Sequence, residues 1–236
     1  MQNQHKSKPC KFASFSGIDG AGKSTQIANL RARLQDSGMR VALITFWDDV
    51  ARLKRIREGA GHTLFKGEKG VGSPEKPVNR RDKNVRSWPM SLVRLGLYFV
   101  DALSLRATVA KALRSGADFV ICDRYIYDEL ANLNLGNPAA RAYVRMIMKL
   151  VPRPDVSYFL DADPVAARAR KPEYPLDFLH ISRASYFTLI KLIGGITVIP
   201  PMSIREAERE VVRHALALLS SDEPQHQPAE HLVSER

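Results

Sequence analysis

The chain has 236 residues and a mass of 26.4 kDa, enough for one full domain and short for two, and a core of that size needs no metal or disulfide staple. Hydrophobic residues make up 44% and charged residues 26%, which excludes wholesale disorder, and no apolar run approaches the roughly 20 residues of a membrane span. A formal net charge of +11 points to anionic partners, whether phosphates, nucleotides, nucleic acid or a membrane surface, without choosing among them.

Residues 1–11 are polar, have no signal-peptide core, and read as a flexible N-terminus. Phe12 to Ser16 reads as a strand. Ser24 to Leu34 follows as a helix, with Ile27, Leu30 and Leu34 on one face. Val41 to Trp47 (VALITFW) is a continuous apolar run, the pattern of a strand buried on both sides. A basic insertion then occupies about 48–88: from Arg52 to Arg86 there are eleven Lys/Arg against four Asp/Glu, so +7 of the +11 sits there. It is glycine-rich with little periodicity, and so long a loop is expected to be functional or mobile.

A long helix is expected from Pro89 to about Arg114, stopped near Gly116, and then a strand over Phe119 to Cys122. Asn137 with Pro138 predicts an N-cap and first helical position, with Pro152 ending that helix. Val156 to Leu160 is a fourth strand and Asp163-Pro164 opens another helix. Phe178 to Leu192 is helical and Ile196 to Ile199 is a fifth strand. Ser203 and Glu206 fit a capping box before a last helix ending near Leu219. The polar tail, 220–236, is expected to fray. Alternation of β and α segments over 12–219 predicts an α/β fold, a largely parallel sheet with helices on both faces. Two cysteines, Cys10 and Cys122, are too few for a disulfide framework or a zinc cluster, and the cytosol is the expected compartment.

Gly17-Ile18-Asp19-Gly20-Ala21-Gly22-Lys23-Ser24 matches G-x-x-x-x-G-K-[ST] in full, between a strand and a helix as the motif requires. Its glycines let successive backbone N–H groups turn toward phosphate oxygens, and the helix that follows adds its positive end. Gly17 through Ser24, with Thr25, therefore form the candidate nucleotide-binding segment. Lys23 would reach the β- and γ-phosphates of ATP, and the Ser24 hydroxyl would ligate Mg²⁺. Asp123, at the tip of the third strand, stands where such sheets place the carboxylate that holds Mg²⁺ through its water shell; the lesser alternative is an aspartate that caps the next turn.

FSGIDGAGKSTQ at 15–26, LYFVDALSLRATVAKALRSGADFVICDRY at 97–125 and LDADPVAARAR at 160–170 together resemble the thymidylate kinase family. The resemblance covers most of the chain from Phe12 to about Leu219. It implies a three-layer P-loop kinase fold with a five-stranded parallel sheet, and transfer of the ATP γ-phosphate to a nucleoside monophosphate, dTMP first, with Mg²⁺. By the same resemblance Asp19 lies beside the acceptor and Arg124 clamps donor and acceptor phosphates. Arg168, Arg170 and Lys171 belong to a basic lid at about 165–177. Gly20 stands where some members carry an arginine, so Arg168 or Arg170 becomes the expected transition-state cation.

The acceptor side departs from the family. Tyr98 or Phe99 matches its base-stacking aromatic, yet four residues on stand Ala102 and Leu103 instead of an arginine, with the acidic Asp101 between. After Asp123-Arg124-Tyr125 the family has small hydroxyl residues, where this chain has Asp128 and Glu129. These carboxylates, with Asp48 and Asp49, keep open a kinase for a hydroxyl acceptor such as a deoxynucleoside, which wants a proton-accepting carboxylate. An NTP-binding module acting on nucleic acid through the basic insertion is the third reading. The insertion has no aromatic ladder for single-strand stacking, which counts against it. No membrane partner is expected. A homodimer through the long helix is implied by the resemblance, with Val100, Leu103 and Leu105 as candidates that could equally be core residues.

Overall fold

The computed structural model describes residues 9–51 and 88–220. The basic insertion apart from its first residues, the first eight residues and the tail beyond Ser220 lie outside these, as do the expectations placed on them. Five strands form one all-parallel sheet: β1 (Lys11–Ser16), β2 (Val41–Thr45), β3 (Phe119–Asp123), β4 (Val156–Leu160) and β5 (Thr197–Ile199), in the order β2-β3-β1-β4-β5. The helices are α1 (Lys23–Asp36), α2 (Trp88–Leu113), α3 (Tyr127–Leu130), α4 (Pro138–Leu150), α5 (Pro164–Arg170), α6 (Leu176–Ile193) and α7 (Ile204–Ser220).

Strand alternation divides the core into two layers. Ala13, Phe15, Phe119, Ile121, Tyr158 and Leu160 point to one face, where Ile27, Leu30 and Leu34 of α1 and Val211 and Ala215 of α7 cover them. Phe12, Val120, Cys122 and Phe159 point to the other, against Leu105 and Val109 of α2, Val144 and Ile147 of α4, and Leu179 and Leu189 of α6. The expected three-layer architecture is therefore observed. Each fully buried Phe or Leu contributes about 1.5–3 kcal/mol relative to exposure.

The predicted caps are present. Asn137 accepts from Ala139 N at 2.8 Å with Pro138 behind it, and Asp163 accepts from Ala166 N at 2.9 Å before Pro164. The capping box closes both ways, Ser203 N to Glu206 at 2.9 Å and Glu206 N to Ser203 at 3.3 Å.

Two expectations, both on β2, need correction. β2 stops at Thr45, because the apolar run continues as a π-helical turn, Phe46–Val50, that buries Phe46 and Val50 completely. Asp49 accepts from Thr45 N at 2.7 Å and closes it. β2 is also an edge strand with Leu43 40% exposed, so its apolar run does not mark burial on both sides. Leu105 belongs to the core, whereas Val100 and Leu103 face outward. Among the described residues no helix is long and apolar enough to cross a membrane.

Candidate functional site

The C-terminal edge of β1 and the N-terminus of α1 frame the phosphate loop. Gly22 caps α1 in the left-handed region, φ +89°, which glycine enters without a Cβ penalty. Gly20, φ +82°, lies so close to α5 that a Cβ would meet the Ala167 carbonyl oxygen at 2.2 Å. The absence of an arginine at this place in the loop thus has a structural cause, since the backbone of α5 fills the space. From α5, Arg170 Nε donates to the Gly20 carbonyl at 2.8 Å. The lid segment expected at 165–177 is α5, the turn after it and the first residues of α6, and it lies directly on the loop.

Lys23 is buried, and its ammonium donates to the carbonyls of Gly17 at 2.8 Å and Ile18 at 2.9 Å. Burial, reinforced by nearby Arg124, pushes its pKa down to about 8, against partial relief from Asp128, Asp19 and Asp123. Ser24, one residue on, is exposed on the first turn of α1, as is Thr25.

Arg124 leaves the tip of β3 with φ +66°, the one non-glycine residue with positive φ among those described. Its backbone N donates to Phe15 O at 3.0 Å, tying the turn to β1. Its guanidinium spans two carboxylates: Nη2 donates to Asp19 on the phosphate loop, and Nη1 donates to Asp128 Oδ2 at 3.0 Å. Burial works against the guanidinium, but Asp128 and Asp19 outweigh it and hold it above its ordinary value. Burial likewise works against the Asp19 carboxylate, and Arg124, Lys23 and Lys171 override it and hold it below the usual range. Lys171 Nζ lies 3.9 Å from Asp19 and 3.3 Å from Glu173. Asp123 shows the opposite balance: burial, with some help from Asp128, raises its pKa in spite of Arg124 and Lys23.

Lys23, Asp19, Asp123, Arg124, Arg170 and Lys171 are thereby brought together, while Arg168 sits half-buried on the same helix. The aromatic pair is split: Tyr98 is buried, and Phe99 is 38% exposed on the outer face of α2. Asp49 is engaged by Thr45 and Asp128 by Arg124, and Asp101 and Glu129 are buried. Two further partners come from α6. Tyr186 of α6 is buried beside Asp128, and burial followed by that charge drives its phenol well above the ordinary value. Arg183 of α6 clamps Asp161, at the end of β4, through two hydrogen bonds of 2.6 and 2.7 Å. Neither partner left a signal in the sequence, since Tyr186 and Arg183 lie far along the chain from Asp128 and Asp161.

A phosphate loop, a strand-tip carboxylate and a guanidinium that joins the loop to α3, on a five-stranded parallel sheet, define a P-loop phosphotransferase of the nucleotide-kinase type. No family model matches the chain. It is 30% identical over 157 residues to the thymidylate kinase of Prochlorococcus marinus (strain AS9601), covering 65% of this chain and 67% of that one. It is also 30% identical over 188 residues to a probable thymidylate kinase of Staphylothermus marinus, covering 76% and 81%. The chain belongs to the thymidylate kinase family. A crystal structure of thymidylate kinase from Ehrlichia chaffeensis shares the fold, with a TM-score of 0.55 at 20% identity over 89% of this chain and 99% of that one.

Proposed function

We propose that this protein transfers the γ-phosphoryl group of ATP to thymidylate, forming dTDP and ADP. The observation that carries the reading is Arg124: half-buried, charged, and stretched from Asp19 on the phosphate loop to Asp128 on α3, which the reading takes as the acceptor side. In this mechanism the Lys23 ammonium exchanges the Gly17 and Ile18 carbonyls for donor phosphate oxygens. Those oxygens also meet the loop N–H groups and the positive end of α1. Arg124 holds the two anionic substrates together against their repulsion, and Arg168 or Arg170 supplies positive charge to the transferred group. Tyr98 is the aromatic retained for the acceptor base.

The Ser24 hydroxyl and the Asp123 carboxylate fit Mg²⁺. Both are hard oxygen donors of the kind Mg²⁺ takes alongside phosphate oxygens and water. When bound, Mg²⁺ supplies charge neutralisation across the phosphates. No protein base is needed, because the acceptor oxygen is already anionic. The engagement of Asp49 by Thr45 N and of Asp128 by Arg124 weighs against a hydroxyl acceptor. Closure of α5 and the following turn over the donor would keep water from competing.

The outward apolar residues of α2, Leu92, Val93, Val100 and Leu103, support pairing with a second copy of this chain. A cytoplasmic setting goes with the substrate. The reading is tested by product analysis with Mg·ATP and a panel of dTMP, dUMP, dCMP, dGMP and UMP. dTDP as the main product is expected; a different diphosphate as the main product would reassign the acceptor base.

A further inference from the structure

We infer that Asp128 is a positioning residue that presets the Arg124 guanidinium for phosphoryl transfer, an inference that rests on the phosphotransfer reading above. Of the two carboxylates on Arg124, Asp19 rides on the phosphate loop and is shared with Lys171 at 3.9 Å, so it moves with the donor site. Asp128 is the fixed one. It belongs to α3, all four of whose residues are buried, and its own side chain is 3% exposed. Its backbone N donates to Tyr125 O at 3.0 Å, and its carbonyl accepts from Asn132 Nδ2 at 2.7 Å, so the main chain is tied on both sides. Tyr186 closes the site from α6.

The contact is not the ordinary neighbour pair of a helix, because Arg124 lies outside α3 in the left-handed region. The reversed backbone at Arg124 turns its side chain back over Asp128, and Nη1 meets Oδ2 at 3.0 Å. Oδ1 is buried with the Tyr186 phenol beside the carboxylate, so among the described residues this carboxylate's one hydrogen bond to a cation is the one to Arg124. A small hydroxyl residue, which the resemblance led one to expect here, offers no charged acceptor to a guanidinium. This chain therefore sets its arginine by a different device from the one its family pattern implies.

The test is a double-mutant cycle combined with side-chain NMR. Asp128→Ala alone is expected to lower kcat/KM for the acceptor roughly 10- to 100-fold, the loss that a misplaced substrate clamp produces. In an Arg124→Ala background the same substitution is expected to cost less than about threefold, because nothing remains to be positioned. An equal loss in both backgrounds would make Asp128 a merely structural residue and overturn the inference. Asp128→Asn keeps an oxygen toward Nη1 and should fall between, and it carries the same cycle if the alanine variant does not fold. In nucleotide-free wild type, ¹⁵N spectra should show the Arg124 Nη groups in slow rotation, and averaged in Asp128→Ala. Free rotation in wild type would overturn the inference whatever the acceptor proves to be. Absence of turnover on every monophosphate with slow rotation intact would instead overturn the functional reading alone.

Discussion

Lys23 has exchanged water for two backbone carbonyls, and burial holds its ammonium at about 8 where an exposed lysine has 10.5. The sign of the pH effect follows. In the unfolded chain the side chain keeps its proton until about 10.5, so unfolding takes up protons between about 8 and 10.5, and stability contributed by this group rises with pH across that window. On the proposed mechanism activity moves the other way, since donor phosphates would bind the charged form. kcat/KM for ATP should fall above pH 8 with an apparent pKa near that value, while kcat, reporting the complex in which phosphate restores the charge, stays level to higher pH. A kcat/KM profile flat to pH 9.5 would contradict the role given to this lysine. Cys122, buried and pushed far above its ordinary pKa, has no comparable reactivity.

At the scale of elements, α5 is the piece that joins sheet, phosphate loop and basic residues. Asp163 caps it, Gly20 admits it, and Arg170 binds the loop. Asp163→Ala should cost about 1 kcal/mol of local helix stability. Because α5 is short, the loss should appear as faster amide exchange at Ala166 and Ala167 and a higher KM for ATP, with little change in the global melting temperature; unchanged exchange there would contradict it. This element was legible in the sequence because its signals are local: an aspartate, a proline and three basic residues within nine positions. The phosphate loop was legible for the same reason. β2 was overextended because the apolar residues Phe46 and Trp47 continue the run, though they belong to a π-helical turn whose closure depends on Asp49. α3 was missed because four residues carry no period and its stability comes from burial by distant segments. The Asp161–Arg183 clamp spans 22 positions with nothing periodic between, and only the packing of α6 on β4 reveals it.

Over the whole molecule, the sheet places the candidate phosphate-side residues, from the loop after β1 to Asp123, Arg124 and α5, at the C-terminal ends of β1, β3 and β4 or on the segments that follow them, where parallel α/β sheets bind ligands. The opposite consequence falls on α2, whose inner face enters the core through Ala102, Leu105 and Val109 while Leu92, Val93, Val100 and Leu103 stay outward. If that outer stripe joins two copies, Leu103→Glu should shift sedimentation from dimer to monomer without unfolding the chain; a wild type that sediments as a monomer at all concentrations would contradict the pairing. The central claim, that donor and acceptor phosphates meet at Lys23 and Arg124, is tested most directly by ADP release with Mg·ATP, comparing dTMP with thymidine in wild type and in Lys23→Ala. The account predicts release with dTMP, none above background with thymidine, and loss of the dTMP signal in the variant. Release with thymidine and not with dTMP would contradict it, because the acceptor would then need a proton-accepting carboxylate that the mechanism does without.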